Sequence, residues 1–266
     1  MLAEMLTPVD PVRLAIYASP WPTLLIMSSY LVFVFKLGPK LMEGRKPFEL
    51  RTFIKFYNIG QVLYNATIIY YGAHFLFYLD TYDLKCIKPL PLDHRHKDYE
   101  RWMTNLYAIN KMIDLSETVV FVLRKKYKQI SFLHVFHHVI MAGMCYFIIT
   151  FNGHGGILFP FCLINAVVHG FMYTYYYLSS LNEALQKSIW WKKYITIIQL
   201  LQFMIIMVIF LRMMMDPNCS TPPFTNYLVG IIIPSFTILF INFFYKSYIL
   251  PGKKHAKQPQ NTENKN

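Results

Sequence analysis

The sequence predicts an all-α membrane protein with seven transmembrane helices, and three observations lead to this prediction. Charged residues make up 15% of the 266 residues, whereas about 25% is usual in a soluble domain. Apolar runs of about 20 residues recur along the chain, and a helix of that length crosses the hydrocarbon core of a bilayer. The basic residues fall in alternate connectors, a pattern that is typical of cytoplasmic loops.

The predicted spans follow from the apolar runs and from the helix breakers between them. Trp21 suits the membrane interface at the start of the first span, and the Gly38-Pro39 and Lys46-Pro47 pairs interrupt the connector after it. The third span is the least hydrophobic of the seven. In chain order, the spans are expected at residues 21–37, 52–78, 105–123, 130–151, 157–178, 190–215 and 227–250.

One membrane domain, residues 21–250, is expected because no polar segment is long enough to form a second domain. Residues 1–20 form an N-terminal segment without the basic start of a cleaved signal peptide. Residues 251–266 form a polar tail that we expect to be disordered. With the basic connectors in the cytoplasm, seven spans place the N-terminus in the lumen and the C-terminus in the cytoplasm.

The formal net charge of +12 raises the question of nucleic-acid binding. The basic residues form no single patch, because the apolar spans separate them into short connectors. Such basic rims attract anionic headgroups or a phosphorylated substrate, so we expect the lipid bilayer as a partner and no nucleic acid. The clusters are Lys36, Lys40, Arg45, Lys46 and Arg51; Arg124, Lys125, Lys126 and Lys128; Lys187, Lys192 and Lys193; and Lys253, Lys254 and Lys257.

The fourth span carries three histidines, His134, His137 and His138, in the run His-Val-Phe-His-His. Positions i, i+3 and i+4 share one side of an α-helix, so we expect the three imidazoles to point the same way. Ionisable groups at membrane depth are costly and are usually functional. The run therefore predicts the active site of a membrane enzyme.

Two chemistries suit these histidines. Imidazoles on one helix face can bind iron or zinc, but a di-iron site needs more ligands than this cluster offers. Imidazole can also attack an activated acyl group or move protons near neutral pH, and we favour this second chemistry without a metal. Cys145 lies two turns beyond His138 and stays open as an alternative nucleophile.

Two other spans carry polar residues on a defined face. In the third span, the face holds Lys111, Asp114, Glu117 and Thr118, and opposite charges there make burial tolerable. This set is either part of the active site or a structural ion-pair network. In the fifth span, a stripe holds Asn165, His169, Tyr173 and Tyr176; it forms packing hydrogen bonds or joins the histidines of the fourth span.

The four cysteines are too few for a disulfide scaffold. Cys145 and Cys162 lie within apolar spans, where small buried thiols are usual. Cys86 and Cys219 lie in connectors on the same, non-cytoplasmic side, where they either form a disulfide or remain free thiols.

Several motifs, in order along residues 20–250, resemble the very-long-chain fatty acid elongase family, and the short loops resemble those of arthropod members. His134-Val-Phe-His-His138 matches the histidine box of the family, and the segment from Asn165 to Tyr176 matches its Asn-x-x-x-His-x-x-Met-Tyr-x-Tyr-Tyr stretch. Further matches are Val120 to Lys126, Trp190 to Thr196 with Gln199, Gln202 and Phe203, and the connector segments Leu37 to Lys40 and Arg45 to Phe48.

One departure from the family pattern concerns the third span. The family's Lys-x-x-Glu-x-x-Asp-Thr appears here as Lys111-Met-Ile-Asp114-Leu-Ser-Glu117-Thr118. The two acids are interchanged in size, so each carboxylate moves by about one methylene. Either the activity survives this change, or the acyl-chain selectivity differs.

The resemblance implies a seven-helix enzyme of the endoplasmic reticulum that condenses a long acyl-CoA with malonyl-CoA and releases CO2 and CoA. It implies His137 as nucleophile, His169 as its partner in the second half-reaction, and Asn165 and His138 as orienting groups. His134 completes the box, Asp114 and Glu117 set its charge or tautomer, and Lys111 meets a substrate anion. Substrate-binding residues are expected to be Arg124, Lys126, Tyr173, Tyr176, Lys192, Lys193 and Gln199.

The implied reaction needs no metal and no redox cofactor, because decarboxylation of malonyl-CoA supplies the carbanion. The ketoreductase, dehydratase and enoyl reductase of the elongation cycle are the implied partners, and a homo-oligomer is possible. The rival functions are a metal-dependent membrane oxidoreductase, a seven-helix receptor and a transporter. A receptor has no need of so many buried charges, and the paired halves common in transporters are not visible.

Overall fold

The computed structural model describes residues 9–79, 81–219 and 221–250, and every regular element in these ranges is helical. The predicted tail 251–266 and residues 1–8 of the N-terminal segment lie outside the described residues. The helices are α1 (Pro20–Met42), α2 (Arg51–Ala73), α3 (Lys97–Asp114), α4 (Ser116–Leu123), α5 (Phe132–Phe151), α6 (Leu158–Leu181), α7 (Glu183–Lys187), α8 (Ile189–Met215) and α9 (Pro223–Phe244). One π-helical turn each extends α2 (His74–Tyr78) and α9 (Tyr245–Ile249).

Five helices, α1, α5, α6, α8 and α9, are long and apolar enough to cross a membrane. The described part of the chain is all-helical, and the protein is a multi-pass membrane protein. Helix α2 and the pair α3–α4 overlap the second and third predicted spans but are not among these five helices. Polar residues such as Asn58, Gln61 and Lys111 lower their mean hydropathy. Those polar residues are buried inside the bundle.

The third predicted span, at residues 105–123, is not a single continuous helix, which corrects the prediction. Helix α3 begins earlier, at Lys97, and a turn at Leu115 separates it from α4. The Leu115 amide donates to the Met112 carbonyl at 3.3 Å, three residues back instead of four. This tighter turn changes the direction in which the side chains of α4 point relative to those of α3.

Helices α2 and α6 form the most extensive pair in the bundle, and α8 packs on both α6 and α9. Helix α5 packs between α1, α3 and α9. At Gly38, an added Cβ would lie 2.6 Å from Val122 Cγ1, so the absence of a side chain lets α1 lie directly against α4. This packing places α4, α5 and α6 around one interior space.

The basic residues Arg51, Arg124 and Lys126 lie around one end of the bundle, which we call the basic end. The opposite end, which we call the disulfide end, carries a disulfide between Cys86 and Cys219 with a Cα–Cα distance of 5.4 Å. This bond joins the α2–α3 connector to the α8–α9 connector. Of the two sequence alternatives for these thiols, the structure contains the disulfide.

The N-terminal segment is fixed to the disulfide end through the buried carboxylate of Asp10. Arg101 donates to both Asp10 oxygens at 2.9 Å, and His154 Nδ1 lies 3.1 Å from Asp10 Oδ2. Burial acts to raise the pKa of Asp10, but the hydrogen bonds from Arg101 and from the Val12 amide hold it below its ordinary value. Burial lowers the pKa of His154 in spite of the nearby Asp10 charge.

Gly155 packs directly against Glu100 at the disulfide end. A Cβ on Gly155 would overlap the Glu100 carboxylate. Its φ of +83° is also in the region that favours glycine. Glu100 accepts hydrogen bonds from Tyr82 and from Lys97, the latter at 2.6 Å. The disulfide end thus holds a cluster of buried polar groups joined by hydrogen bonds and ion pairs, although His154 Nε2 has no hydrogen-bond partner among the described residues. The sequence did not predict this cluster.

Candidate active site

The three histidines of α5 face the interior but contact two different neighbouring helices, α4 and α6. His134 Nε2 lies 2.8 Å from Thr118 Oγ1, and His138 Nε2 lies 3.6 Å from Glu117 Oε2, so both meet α4. His137 instead faces His169 on α6, with the two ring centroids 6.4 Å apart. The three imidazoles share the interior side of α5, as expected, but they do not converge on one point.

A buried ion pair lies beside His169. Lys111 Nζ is 3.0 Å from Asp114 Oδ2 and 3.5 Å from His169 Nδ1. Only 2% of Lys111 and 3% of Asp114 are exposed. A pair this deeply buried is stable only when its remaining hydrogen-bonding atoms are satisfied, and the second oxygen of Asp114 meets this requirement.

Asp114 Oδ1 accepts two hydrogen bonds from neutral groups. Tyr173 OH donates from α6 at 2.9 Å, and Gln61 Nε2 donates from α2 at 3.0 Å. The sequence assigned Tyr173 to substrate binding, whereas its hydroxyl supports this carboxylate. Sequence reasoning missed Gln61, although a glutamine in an apolar span is a recognisable signal.

A second chain of hydrogen bonds runs to His134 through Thr118. Tyr30 OH on α1 lies 2.8 Å from Thr118 Oγ1, which in turn lies 2.8 Å from His134 Nε2. Thr118 is fully buried. Tyr30 is the second site residue that sequence reasoning missed, because one tyrosine among 20 in the chain carries no distinguishing signal.

Asn165 is held by two further side chains. Tyr107 OH donates to Asn165 Oδ1 at 2.9 Å, and Asn165 Nδ2 lies 3.4 Å from Gln202 Oε1. The Lys111 ammonium lies over the ring of Tyr107, 4.9 Å from its centroid, which adds a cation–π attraction. Asn165 is therefore fixed close to the ion pair.

An apolar cavity of about 140 Å³ extends from the histidines toward the disulfide end. Its walls are mainly methionine, isoleucine and phenylalanine side chains from α5, α6, α8 and α9. His137 and Asn165 supply polar groups in its lining, and Thr104 and Gly155 line it near the disulfide end. Of the three histidines on α5, only His137 belongs to this lining.

A larger cavity of about 680 Å³, lined by both polar and apolar residues, lies at the basic end. Arg51, Arg124 and Lys126 line it, and Glu117 forms part of its wall. Tyr176 also lines it, so the structure places Tyr176, Arg124 and Lys126, all predicted to bind substrate, around one cavity. We call this space the basic vestibule.

Three other residues assigned to substrate binding lie elsewhere. Lys192 and Lys193, in the first turn of α8, are outside the described lining of the basic vestibule. The Gln199 amide lies 3.8 Å from Met172 Sδ, a contact within the α6–α8 packing. The structure does not bring these three residues together with Arg124 and Lys126.

Glu117, His134 and His138 are the residues best placed to hold a metal ion. One ligand atom from each lies within 4.8 Å of the other two, and two imidazoles with a carboxylate are ligands that zinc or iron accepts. His137 and His169 are not part of this group. The cysteine alternative has weaker support, because Cys145 Sγ donates to the Met141 carbonyl of its own helix at 3.2 Å.

The helical bundle, the buried histidines and the apolar cavity that His137 lines are the features of a membrane enzyme with an interior active site. The ELO family model, described as the GNS1/SUR4 family, matches residues 15–256. The chain belongs to this family.

Curated relatives support the same membership. A protein of Drosophila melanogaster named very long chain fatty acid elongase F is 51% identical over 257 residues, covering 97% of this chain and all of the relative. Very long chain fatty acid elongase 7 of the same species is 37% identical, covering 92% of this chain and 74% of the relative. Human very long chain fatty acid elongase 4 is 36% identical over 90% of this chain and 74% of the relative.

Proposed function

We propose that this protein is a fatty acid elongase that catalyses the condensing acyltransferase step, from acyl-CoA and malonyl-CoA to 3-ketoacyl-CoA. Family membership supports fatty acid elongation. The single observation that carries the chemistry is the position of His137, which lines the apolar cavity and faces His169. An acyl chain bound in that cavity places its thioester next to His137, the one histidine of the box in the described cavity lining.

In the first half-reaction, an imidazole nitrogen of His137 attacks the thioester carbonyl carbon of the acyl-CoA. A C–N bond forms and the C–S bond breaks. The CoA thiolate leaves with the electron pair and takes a proton from solvent. His137 keeps the proton on its other ring nitrogen, so the product is an N-acylimidazolium, whose acyl carbon remains activated because neutral imidazole is a good leaving group.

In the second half-reaction, malonyl-CoA loses CO2, and the electron pair of the broken C–C bond forms a thioester enolate. His169 donates a hydrogen bond to the enolate oxygen, which stabilises the developing charge. The enolate carbon then attacks the acyl carbon, and the C–N bond to His137 breaks. This step releases a 3-ketoacyl-CoA two carbons longer than the substrate and restores neutral His137.

The supporting residues act through these two histidines. Lys111 and Asp114 orient His169, while Glu117 orients His138 and Thr118 orients His134. Asn165, held by Tyr107 and Gln202, lies beside the cavity as an orienting amide. Arg124 and Lys126 bind the phosphates of CoA in the basic vestibule, because guanidinium and ammonium groups suit phosphate oxygens.

We further propose that α2 and the α3–α4 pair also span the membrane, which brings the number of spans to seven. Helix α2 has 23 residues and is therefore about 34 Å long. The basic end then faces the cytoplasm and the disulfide end the lumen of the endoplasmic reticulum, where disulfides persist. The ketoreductase, dehydratase and enoyl reductase of the cycle would meet the basic end, and a homo-oligomer is compatible with the exposed apolar helices.

The decisive experiment compares the wild type with His137→Ala in microsomes supplied with labelled malonyl-CoA and a panel of acyl-CoAs. Wild type should yield 3-ketoacyl products two carbons longer than each accepted substrate, and His137→Ala should yield none. The panel would also reveal the preferred chain length. If the variant made as much product as the wild type, the assignment of His137 as nucleophile would be wrong.

A chelator test separates this function from a metal-dependent oxidoreductase. Because the proposed steps use no metal, we expect purified protein to condense at an undiminished rate after treatment with EDTA. Loss of activity with EDTA, restored by zinc or iron, would favour the metal alternative at Glu117, His134 and His138.

A further inference from the structure

Gln61 is a buried amide on α2 that takes no part in the two half-reactions. Its Nε2 atom lies 3.0 Å from Asp114 Oδ1 and 3.2 Å from Tyr57 OH, and the residue is 3% exposed. An ionised carboxylate can only accept hydrogen bonds. Gln61 must therefore turn its NH2 group, and not its carbonyl oxygen, toward Asp114.

Asn65, one turn further along α2, holds Gln61 in this orientation. Asn65 Nδ2 donates to the Gln61 backbone carbonyl at 2.8 Å and lies 3.5 Å from Gln61 Oε1. The donor of Asn65 thus faces the acceptor of the Gln61 side chain, which leaves the Gln61 NH2 group for Asp114. The hydrogen bonds run in one direction, from Asn65 through Gln61 to the carboxylate.

The far side of Asp114 sets the proton position on His169. Lys111 Nζ lies 3.0 Å from Asp114 Oδ2 and 3.5 Å from His169 Nδ1. Asp114 Oδ2 is 3.9 Å from the same imidazole nitrogen, which is too far for a direct hydrogen bond. Because a charged ammonium only donates, a hydrogen bond from Lys111 requires Nδ1 to accept and the ring proton to lie on Nε2. The two neutral donors on Oδ1 fix the carboxylate plane, and a fixed Oδ2 keeps Lys111 against His169.

We propose that Gln61 is a positioning residue for the condensation reaction. Acting through Asp114 and Lys111, it holds His169 in the Nε2–H tautomer, the form that donates to the enolate oxygen of decarboxylated malonyl-CoA. This role rests on the proposed function. Gln61 contacts neither substrate, so its loss should lower kcat and leave both KM values unchanged.

Gln61→Met tests this role in full-length protein reconstituted in nanodiscs. Methionine keeps the length and much of the volume of glutamine but donates no hydrogen bond. Tyr64→Phe is the matched control, because Tyr64 OH donates to the Leu106 carbonyl at 2.9 Å. The control therefore removes a hydrogen bond between the same two helices without touching Asp114.

We expect Gln61→Met to lower kcat about tenfold, as for the loss of one hydrogen bond to a charged group, with both KM values within twofold of the wild type. Gln61→Glu should lower kcat further, because it sets an acceptor against Asp114. Tyr64→Phe should keep kcat within twofold. A kcat within twofold of the wild type in Gln61→Met, or an equal loss in Tyr64→Phe, would overturn the role.

A spectroscopic readout distinguishes this inference from the proposed function. In 15N-histidine-labelled protein, the signals of His169, assigned with a His169→Gln sample, report which ring nitrogen carries the proton. We expect these signals to move in Gln61→Met and to stay in place in Tyr64→Phe. Wild type without any condensation product would overturn the proposed function, whereas unmoved His169 signals in Gln61→Met would overturn the role of Gln61.

Discussion

His137 and His169 face each other across the α5–α6 contact, with ring centroids 6.4 Å apart and ring planes inclined by 26°. This separation is about twice the distance of roughly 3–3.5 Å at which reacting atoms lie in a near-attack geometry. An imidazole attacks through a lone pair in the plane of its ring, so a thioester carbonyl must approach the edge of His137, and the gap between the two rings leaves room for it. The pair is therefore spaced for a carbonyl group between them, not for a direct hydrogen bond.

The hydrogen bond between Thr118 and His134 is predicted to support the histidine box. Thr118→Val keeps the shape of the side chain but removes the hydroxyl that joins His134 to Tyr30. We expect kcat to fall about tenfold, because a buried imidazole loses its partner, with little change in either KM. Steady-state assays of the condensation rate would measure this. Thr118→Ser retains the hydroxyl and should keep most of the activity; equal losses in both variants would contradict the prediction.

Because the acid at position 114 is shorter here than in the family pattern, we predict that Asp114→Glu impairs this enzyme. Asp114 is enclosed by Lys111, Tyr173 and Gln61, so the extra methylene in Asp114→Glu overpacks the site. Such overpacking commonly costs about 1–3 kcal/mol, and we expect at least a tenfold loss of kcat. Asp98→Glu is the control, since the Asp98 side chain is 90% exposed.

The double variant with Asp114→Glu and Glu117→Asp restores the family's order of acids and tests whether the interchange disables the enzyme. Because the present surroundings satisfy Asp114, we expect the double variant to be less active than the wild type. A higher condensation rate in the double variant would show that the natural order of acids in this chain impairs activity.

The basic vestibule predicts a change in substrate affinity when its charges are removed. Arg124→Gln and Lys126→Gln each remove a cation that can pair with CoA phosphates. We expect KM for acyl-CoA to rise about three- to tenfold per variant, with kcat within twofold and a weaker dependence on salt. Lys85→Gln is the control, because Lys85 is exposed in the α2–α3 connector and is not part of the vestibule lining. A fall in kcat at constant KM would contradict this role.

The buried cluster at the disulfide end predicts that acidification destabilises the fold. A histidine with a lowered folded pKa costs stability once the pH falls below its unfolded value of about 6.5, and a carboxylate with a lowered pKa contributes stability that is lost as the pH falls through the folded pKa. His154 and Asp10 therefore act in the same direction but in different ranges: His154 acts as the pH falls below about 6.5, whereas the contribution of Asp10 is lost only below about pH 4. Burial raises the pKa of Glu100, so Glu100 acts in the opposite direction.

Thermal unfolding between pH 5 and pH 8 would measure this dependence. We expect the unfolding midpoint of the wild type to fall by a few degrees between pH 7 and pH 5, since about 1 kcal/mol corresponds to roughly 2–4 °C in a chain of this size. His154→Gln should flatten this part of the curve, and Asp10→Asn should lower the midpoint already at pH 7. His94→Gln, in the α2–α3 connector, is the control and should keep the wild-type slope; an unchanged slope in His154→Gln would contradict the prediction.

The helical class and the approximate helix positions could be predicted because apolar runs and breakers are local features of the sequence. The turn at Leu115 could not, since the segment around it reads as one continuous helix. Its geometry separates the partners of Asp114 from those of Glu117. Periodicity alone places both acids on one face, but the turn directs one to His169 and the other to His138.

Some residues of the candidate site could likewise be predicted from the sequence, and others could not. Histidines and charged residues in apolar spans are conspicuous, so Lys111, His137 and His169 could be predicted as site residues from the sequence. Gln61 and Tyr30 were missed because their importance depends on contacts with residues 53 and 88 positions away. The roles of Lys192 and Lys193 were inferred from charge, which fixes neither the direction of a side chain nor the cavity it meets.

The attachment of Asp10 has a consequence for the order in which the chain folds during synthesis. Its partners Arg101 and His154 follow it by 91 and 144 residues, so the segment around Asp10 cannot take its final place until both of these later residues have been synthesised. Asp10 therefore lacks these two partners while the first helices of the bundle are inserted. A bulky fusion close to Asp10 should therefore obstruct the last step of assembly more than the insertion of any single helix.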